Sequence, residues 1–211
     1  MTLRIDDISK AFAGRKVLDR MNHVFAPGIH ALHGPNGIGK STLLTILAGV
    51  QAPDAGTVTI DGHDLLTNPE RAKERLAFVP DDCPVYPFML GRDLLDLVAR
   101  AKRTRVDERV DALVEGFGLE PHLRTRFGQM SLGTQKKMLL AAAWIGNPSV
   151  VLMDEPSNAL DRVTRGVLVD ELLALRETAV VVMSTHDADF ARAVGADVIP
   201  FASLQSAGRV V

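Results

Sequence analysis

The sequence predicts an α/β fold, a core of buried strands with a helical insert at about residues 82–146. Three observations carry this. Val150-Val151-Leu152-Met153 and Ala179-Val180-Val181-Val182-Met183 are continuous apolar, β-rich runs, as strands covered on both faces must be. Residues 161–175 between them have helical spacing, which makes a βαβ unit. Between Leu90 and Phe117 the apolar period becomes helical.

In chain order, residues 3–12 and 17–25 read as strands around the turn-like Ala13-Gly14-Arg15. The apolar run Ile29-His30-Ala31-Leu32 is followed, after a glycine-rich loop, by Thr42-Leu43-Leu44-Thr45-Ile46-Leu47-Ala48, which reads as a helix. Thr57-Val58-Thr59-Ile60 alternates as a strand does and turns at Asp61-Gly62. Leu76-Ala77-Phe78-Val79 is a short strand stopped by Pro80. One apolar stripe is Leu94, Leu97 and Val98; a second is Val106, Val110, Leu113, Val114 and Phe117, ended by Gly116 and Gly118. Ser131 can N-cap a helix that turns Met138, Leu139, Ala142 and Ile145 inward. With no repeat, low-complexity tract or long linker, the expectation is a single domain over 1–211. Its core comprises 1–81 and 147–211, and its helical part 82–146.

The loop itself is Gly34-Pro35-Asn36-Gly37-Ile38-Gly39-Lys40-Ser41, a full G-x-x-x-x-G-K-[ST] pattern. Its glycines let backbone N–H groups turn inward around phosphate oxygens, with the positive end of a helix behind them. Lys40 would reach the β- and γ-phosphates and the Ser41 hydroxyl would sit on Mg²⁺. The chain is therefore expected to bind a nucleoside triphosphate.

Composition narrows the classes. Of 211 residues 46% are apolar, enough for a real core, and the net charge of −2 gives no reason to expect nucleic acid. The run Arg100-Ala101-Lys102-Arg103-Thr104-Arg105 reads as the solvated end of a helix. A single cysteine, Cys83, excludes an internal disulfide and favours a reducing compartment. The histidines show no metal-ligand spacing with it, which argues against a structural zinc. Charges in Met1-Thr2-Leu3-Arg4-Ile5-Asp6-Asp7 stand where a signal peptide needs an apolar run. No run of about 18 apolar residues exists, so any membrane role is expected to come through another chain.

Further candidate residues sit at strand ends. Asp154-Glu155 ends one buried strand and Ser184-Thr185-His186 ends another. Open parallel sheets bind ligands at the carboxyl ends of their strands, so these groups and the phosphate loop can converge on one triphosphate.

In these motifs the chain resembles the ATP-binding cassette (ABC) ATPases over nearly its whole length. Gly34 to Ser41 is similar to the family's first nucleotide motif, and Val150-Val151-Leu152-Met153-Asp154-Glu155-Pro156 to its second. Ser157-Asn158-Ala159-Leu160-Asp161 resembles the D-loop, with Asp161 its acid, and His186 the switch histidine. Phe12 stands at the place of the adenine-stacking aromatic; the alternative for it is a core phenylalanine. Met130-Ser131-Leu132-Gly133-Thr134-Gln135 resembles the signature Leu-Ser-Gly-Gly-Gln, matching at Ser131 and Gly133 and departing at Met130, Leu132 and Thr134. This variant is similar to cassettes of drug, peptide or polysaccharide exporters. The resemblance implies a P-loop NTPase core with an N-terminal antiparallel β subdomain and a helical signature subdomain.

It also implies roles. The loop, Lys40, Ser41 and Thr42 would hold ATP and Mg²⁺, Asp154 would hold metal-bound water, Glu155 would be the general base and His186 would stabilise the γ-phosphate. Ser131, Gly133 and Thr134 would complete the site of a second ATPase domain, in a homo- or heterodimer. Asp81 stands where the family usually has glutamine. Its side chain is one methylene shorter, about 1.5 Å less reach, and it brings a negative charge toward the triphosphate. It is expected to act through a metal-bound water or to position its loop. The segment after it, Cys83-Pro84-Val85-Tyr86-Pro87-Phe88-Met89, would either receive a helix of a membrane permease or fold onto its own core.

The function so implied is that of the ATPase subunit of a membrane transporter, an exporter, cytoplasmic and peripheral at the inner face of the membrane. The alternative is a soluble cassette acting on DNA, ribosomes or iron–sulfur assembly. The short stretch after His186 leaves little room for a regulatory C-terminal domain.

Overall fold

The computed structural model of the chain describes residues 2–205. Strands β1 (Leu3–Phe12) and β2 (Arg15–Phe25) form a hairpin over Ala13-Gly14, and β3 (Gly28–His33) leads through the glycine-rich loop into α1 (Lys40–Leu47). Then come β4 (Ala55–Ile60), β5 (His63–Asp64), α2 (Pro69–Glu74) and β6 (Leu76–Val79). Helices α3 (Gly91–Ala101), α4 (Glu108–Gly116) and α5 (Leu132–Ala143) separate β6 from β7 (Val150–Asp154). The chain continues through α6 (Arg162–Leu175), β8 (Val180–Ser184), α7 (Ala188–Ala193) and β9 (Asp197–Pro200).

These strands make two sheets. One is antiparallel, in the order β2-β1-β4-β5; the other is parallel, in the order β6-β7-β8-β3-β9. The parallel sheet is the wall between two cores. On one side Leu32, Val150, Leu152, Val180 and Val182 pack with α1 and the apolar face of the antiparallel sheet. On the other, Ala31, Val151, Met153, Val181 and Met183 pack with the buried faces of the helices that follow. Strands buried on both faces have no solvent side to alternate toward, hence their unbroken apolar runs.

The structure refines several expectations. The helical segment from Leu90 is two helices, the second N-capped by Asp107, whose side chain accepts from the Val110 N–H at 3.1 Å. In α3 the buried residues are Gly91, Leu94, Leu95 and Ala99, whereas Leu97 is exposed. These four share one helix face, and packing against the core selects that face over the one through Leu97. The basic run is not wholly solvated either. Lys102 turns inward and donates to the Ile145 carbonyl at 2.9 Å, and burial pushes its pKa down to about 8. Elements β5, α2, α7 and β9 carry too few periodic residues to be read from sequence. Among the described residues no helix is long and apolar enough to cross a membrane.

Candidate nucleotide site

The strand order places the carboxyl ends of β3, β6, β7 and β8 along one edge of the parallel sheet. There the glycine-rich loop, Asp81, Asp154, Glu155 and His186 line one cavity of about 520 Å³. Sequence elements more than a hundred residues apart thus converge as the strand-end rule requires.

Gly39 makes the loop possible. It precedes α1 in a left-handed conformation (φ 115°), and a Cβ there would come 2.8 Å from the Val17 side chain, so the loop packs tightly on β2. The first turn of α1 carries no acidic residue and faces the cavity, leaving unpaired N–H groups and the positive helix end for an anion. Lys40, buried at the base, donates to the carbonyls of Gly34 at 2.7 Å and Pro35 at 3.2 Å and lies 3.4 Å from His186 Nε2. Asn36, Gly37, Ser41 and Thr42 line the cavity. Gly34, Pro35 and Ile38 do not; Ile38 packs against the core below. Phe12 lies on the cavity wall 45% exposed, with Lys10 Nζ 5.8 Å from its ring centroid. A core position for it is thereby excluded.

The acids are held by the β7–β8 register, which pairs Asp154 with Ser184. The buried Ser184 hydroxyl donates to Asp154 Oδ1 and accepts from the Glu155 N–H at 3.1 Å. Glu155 has φ 45°, a left-handed conformation that costs a non-glycine residue roughly 1–2 kcal/mol. Its N–H is fixed by the Ser184 hydroxyl and carbonyl together, which sustains that conformation. Its carboxylate accepts from the His186 backbone N–H at 3.2 Å and lies 3.5 Å from His186 Nε2.

Asp81 is half exposed at the end of β6. Its Oδ1 accepts from Asn158 Nδ2 at 3.4 Å and lies 3.8 Å from Lys136 Nζ. Lys136, on α5, is only 5% exposed. Burial pushes its pKa down, against the pull of Asp81, Asp154 and Glu155.

The remaining candidates lie outside this cavity. Ser131 N-caps α5, accepting from the Thr134 N–H at 3.1 Å, and is exposed. A Cβ on Gly133 would meet the Ala159 carbonyl at 2.7 Å, so only glycine lets α5 approach the loop after β7 so closely. Asp161 N-caps α6 and pairs with Lys137 at 2.5 Å, which together hold its carboxyl well below the usual range.

Sequence reasoning missed Val17, which lines the cavity, and Lys136, which lies behind it; it placed Ser184 at a strand end and Asn158 in the D-loop but gave neither a partner. Two of these left a signal. Ser184 is a polar residue closing an apolar strand, and Lys136 stands four residues before the buried Leu140 on one helix face.

The donor set fits a nucleotide with a hard divalent cation. Loop amides and Lys40 suit phosphate, while the Ser41 hydroxyl and the Asp154 carboxylate supply oxygen ligands in the same cavity. The fold and this cavity define a P-loop nucleotide-binding domain. A family model described as ABC transporter matches residues 18–158, and the chain belongs to that family as an ABC ATPase domain.

Known proteins agree with this placement. The retinal-specific phospholipid-transporting ATPase ABCA4 of Mus musculus is 32% identical over 197 residues, 90% of this chain and 8% of ABCA4. The glycine betaine uptake system ATP-binding protein YehX of Escherichia coli (strain K12) is 31% identical over 195 residues, 89% of this chain and 63% of YehX. This chain thus spans less than two thirds of either relative. A solved ATP binding subunit of an ABC transporter superposes with a TM-score of 0.82 at 27% identity, covering 90% of this chain and 82% of that one.

Proposed function

We propose that the chain binds ATP with Mg²⁺, hydrolyses it, and energises export through a membrane permease. The observation that carries hydrolysis is the placement of Glu155 and His186 against Lys40 in the phosphate-loop cavity. Loop amides and Lys40 bind the phosphates, Phe12 stacks on the base, and Ser41 and Asp154 would hold the cation. Bound Mg²⁺ supplies charge neutralisation at the phosphate oxygens. Glu155 accepts the proton of the attacking water, and its strained backbone keeps the carboxylate aimed. His186 donates to the γ-phosphate.

The outward-facing N-terminus of α5, with Ser131, Gly133 and Thr134, completes the site of a second ATPase domain, identical or homologous. Asp161 lies on the same loop side through Lys137. The permease docks at 83–89, where the protein is peripheral to the inner face of the membrane. Export rather than uptake is supported by the Ser-Leu-Gly-Thr signature; uptake is the outcome to set against it, given the YehX relative.

Equilibrium titration with ATP tests the site. Lys40→Ala should weaken binding by about tenfold or more, as removal of a charge-assisted contact does. Unchanged affinity would rule out the loop as the phosphate cradle.

A further inference from the structure

Lys136 is a buried cation that the proposed reaction does not use. Its ammonium donates to two carbonyls at strand ends, and one carboxylate stands beyond hydrogen-bond reach as its counter-charge. These are the Pro80 carbonyl at 2.9 Å, the Asp154 carbonyl at 2.9 Å and Asp81 Oδ1 at 3.8 Å. The lysine itself belongs to α5, whose N-terminus carries the signature residues. One side chain therefore ties the end of β6, the end of β7 and the signature helix together.

We propose that Lys136 is a positioning residue whose ammonium is the counter-ion of Asp81, so that Asp81 steers its loop and the strand ends instead of ligating the metal. This rests on the reading of the cavity as an ATP–Mg²⁺ site. An aspartate at this place sets a third negative charge beside Asp154 and Glu155, against an incoming triphosphate. Metal binding could absorb that charge, but the geometry provides a cation already. A buried ammonium needs full pairing, because an unpaired one is costly. Asp81 and the two carbonyls provide it, and Asn158 fixes the same Oδ1 from the loop after β7. The Asp154 carbonyl belongs to the residue whose carboxylate Ser184 holds, so Lys136 and Ser184 secure that acid from both ends.

The test is ATP affinity, with Mg²⁺ and with a chelator, together with turnover. Lys136→Met keeps the stem and removes the charge, leaving Asp81 uncompensated. It should weaken ATP binding about threefold or more, most with the chelator present. Adding Asp81→Asn to the same chain should recover most of that loss, which lost packing of the stem could not explain. Should Lys136→Met fail to fold, Lys136→Gln is expected to show the same rescue. Asp81→Asn alone should leave the Mg²⁺ concentration for half-maximal turnover within about twofold.

No rescue, or a roughly tenfold rise in that Mg²⁺ requirement for Asp81→Asn alone, overturns the proposal while the nucleotide site stands. A wild-type chain that binds no ATP overturns the site reading and this proposal together.

Discussion

The hydroxyl of Ser184 donates to the Asp154 carboxylate while accepting from the Glu155 backbone N–H, so one buried side chain orients both acids of the candidate site. The register of β7 on β8 puts it there, since Asp154 and Ser184 are direct partners across the two strands.

Ser184→Ala should therefore uncouple the two acids. A hydrogen bond to a charged group contributes about 1.5–3 kcal/mol, so turnover is expected to fall on the order of tenfold or more. The Mg²⁺ requirement should rise with it, because Asp154, which would help hold the cation, loses the hydrogen bond that orients its carboxylate in the cavity. Steady-state rates across a Mg²⁺ titration check this; an unchanged profile would leave Ser184 a mere strand residue.

Asp161 should matter to stability. As the N-cap of α6 it contributes about 1 kcal/mol, so Asp161→Ala is expected to lower Tm by about 2–4 °C. Lys137 and the α6 cap depress its pKa below the ordinary 3.8, so its contribution is complete above that value and fades as the pH falls through the lower folded pKa. Thermal melts should show a constant gap between variant and wild type from about pH 8 to about pH 5, shrinking below pH 4.

Lys102 has the opposite sign. Its folded pKa of about 8 lies below the ordinary 10.5, so the folded chain binds fewer protons than the unfolded one across that interval. Charging it costs stability at pH 7, and that cost disappears as pH rises from 8 to 10.5. Lys102→Met should melt higher than wild type at neutral pH, with the advantage closing on titration upward. A gap that widens with pH would contradict this.

Tyr86 and Phe88 stack on one another, with ring centroids 5.4 Å apart and planes 16° off parallel, yet are 65% and 70% exposed. Cys83, Val85 and Met89 turn toward the core between them, so the segment both folds back and presents a pair of rings. Replacing both aromatics by alanine should reduce copurification with the proposed permease while changing stability by less than about 0.5 kcal/mol. Equal recovery of the permease would remove this surface from the docking account.

Much of this was legible in the sequence because two signals are local. The phosphate loop is a contiguous string, and Val150 to Met153 and Val180 to Met183 are apolar on both faces. Ser131 was readable as an N-cap for the same reason, whereas the cap role of Asp161 emerges only in the structure. What escaped depends on register and on distant contacts. Ser184 gains its partners only when β8 lies beside β7, and Lys136 meets Pro80, 56 residues away, only after α5 packs against β6. Leu97 shares a helical spacing with Leu94 and Val98 that is also compatible with an inner face, and only the packing of α3 on the core turns it outward.

The central claim, that this cavity hydrolyses ATP with Glu155 as the base, is tested most directly by turnover and ATP affinity of Glu155→Gln measured side by side. The account predicts that turnover falls about a hundredfold or more while ATP binding is retained and the ATP-bound variant accumulates as a dimer. A variant that turns over ATP at the wild-type rate would contradict it.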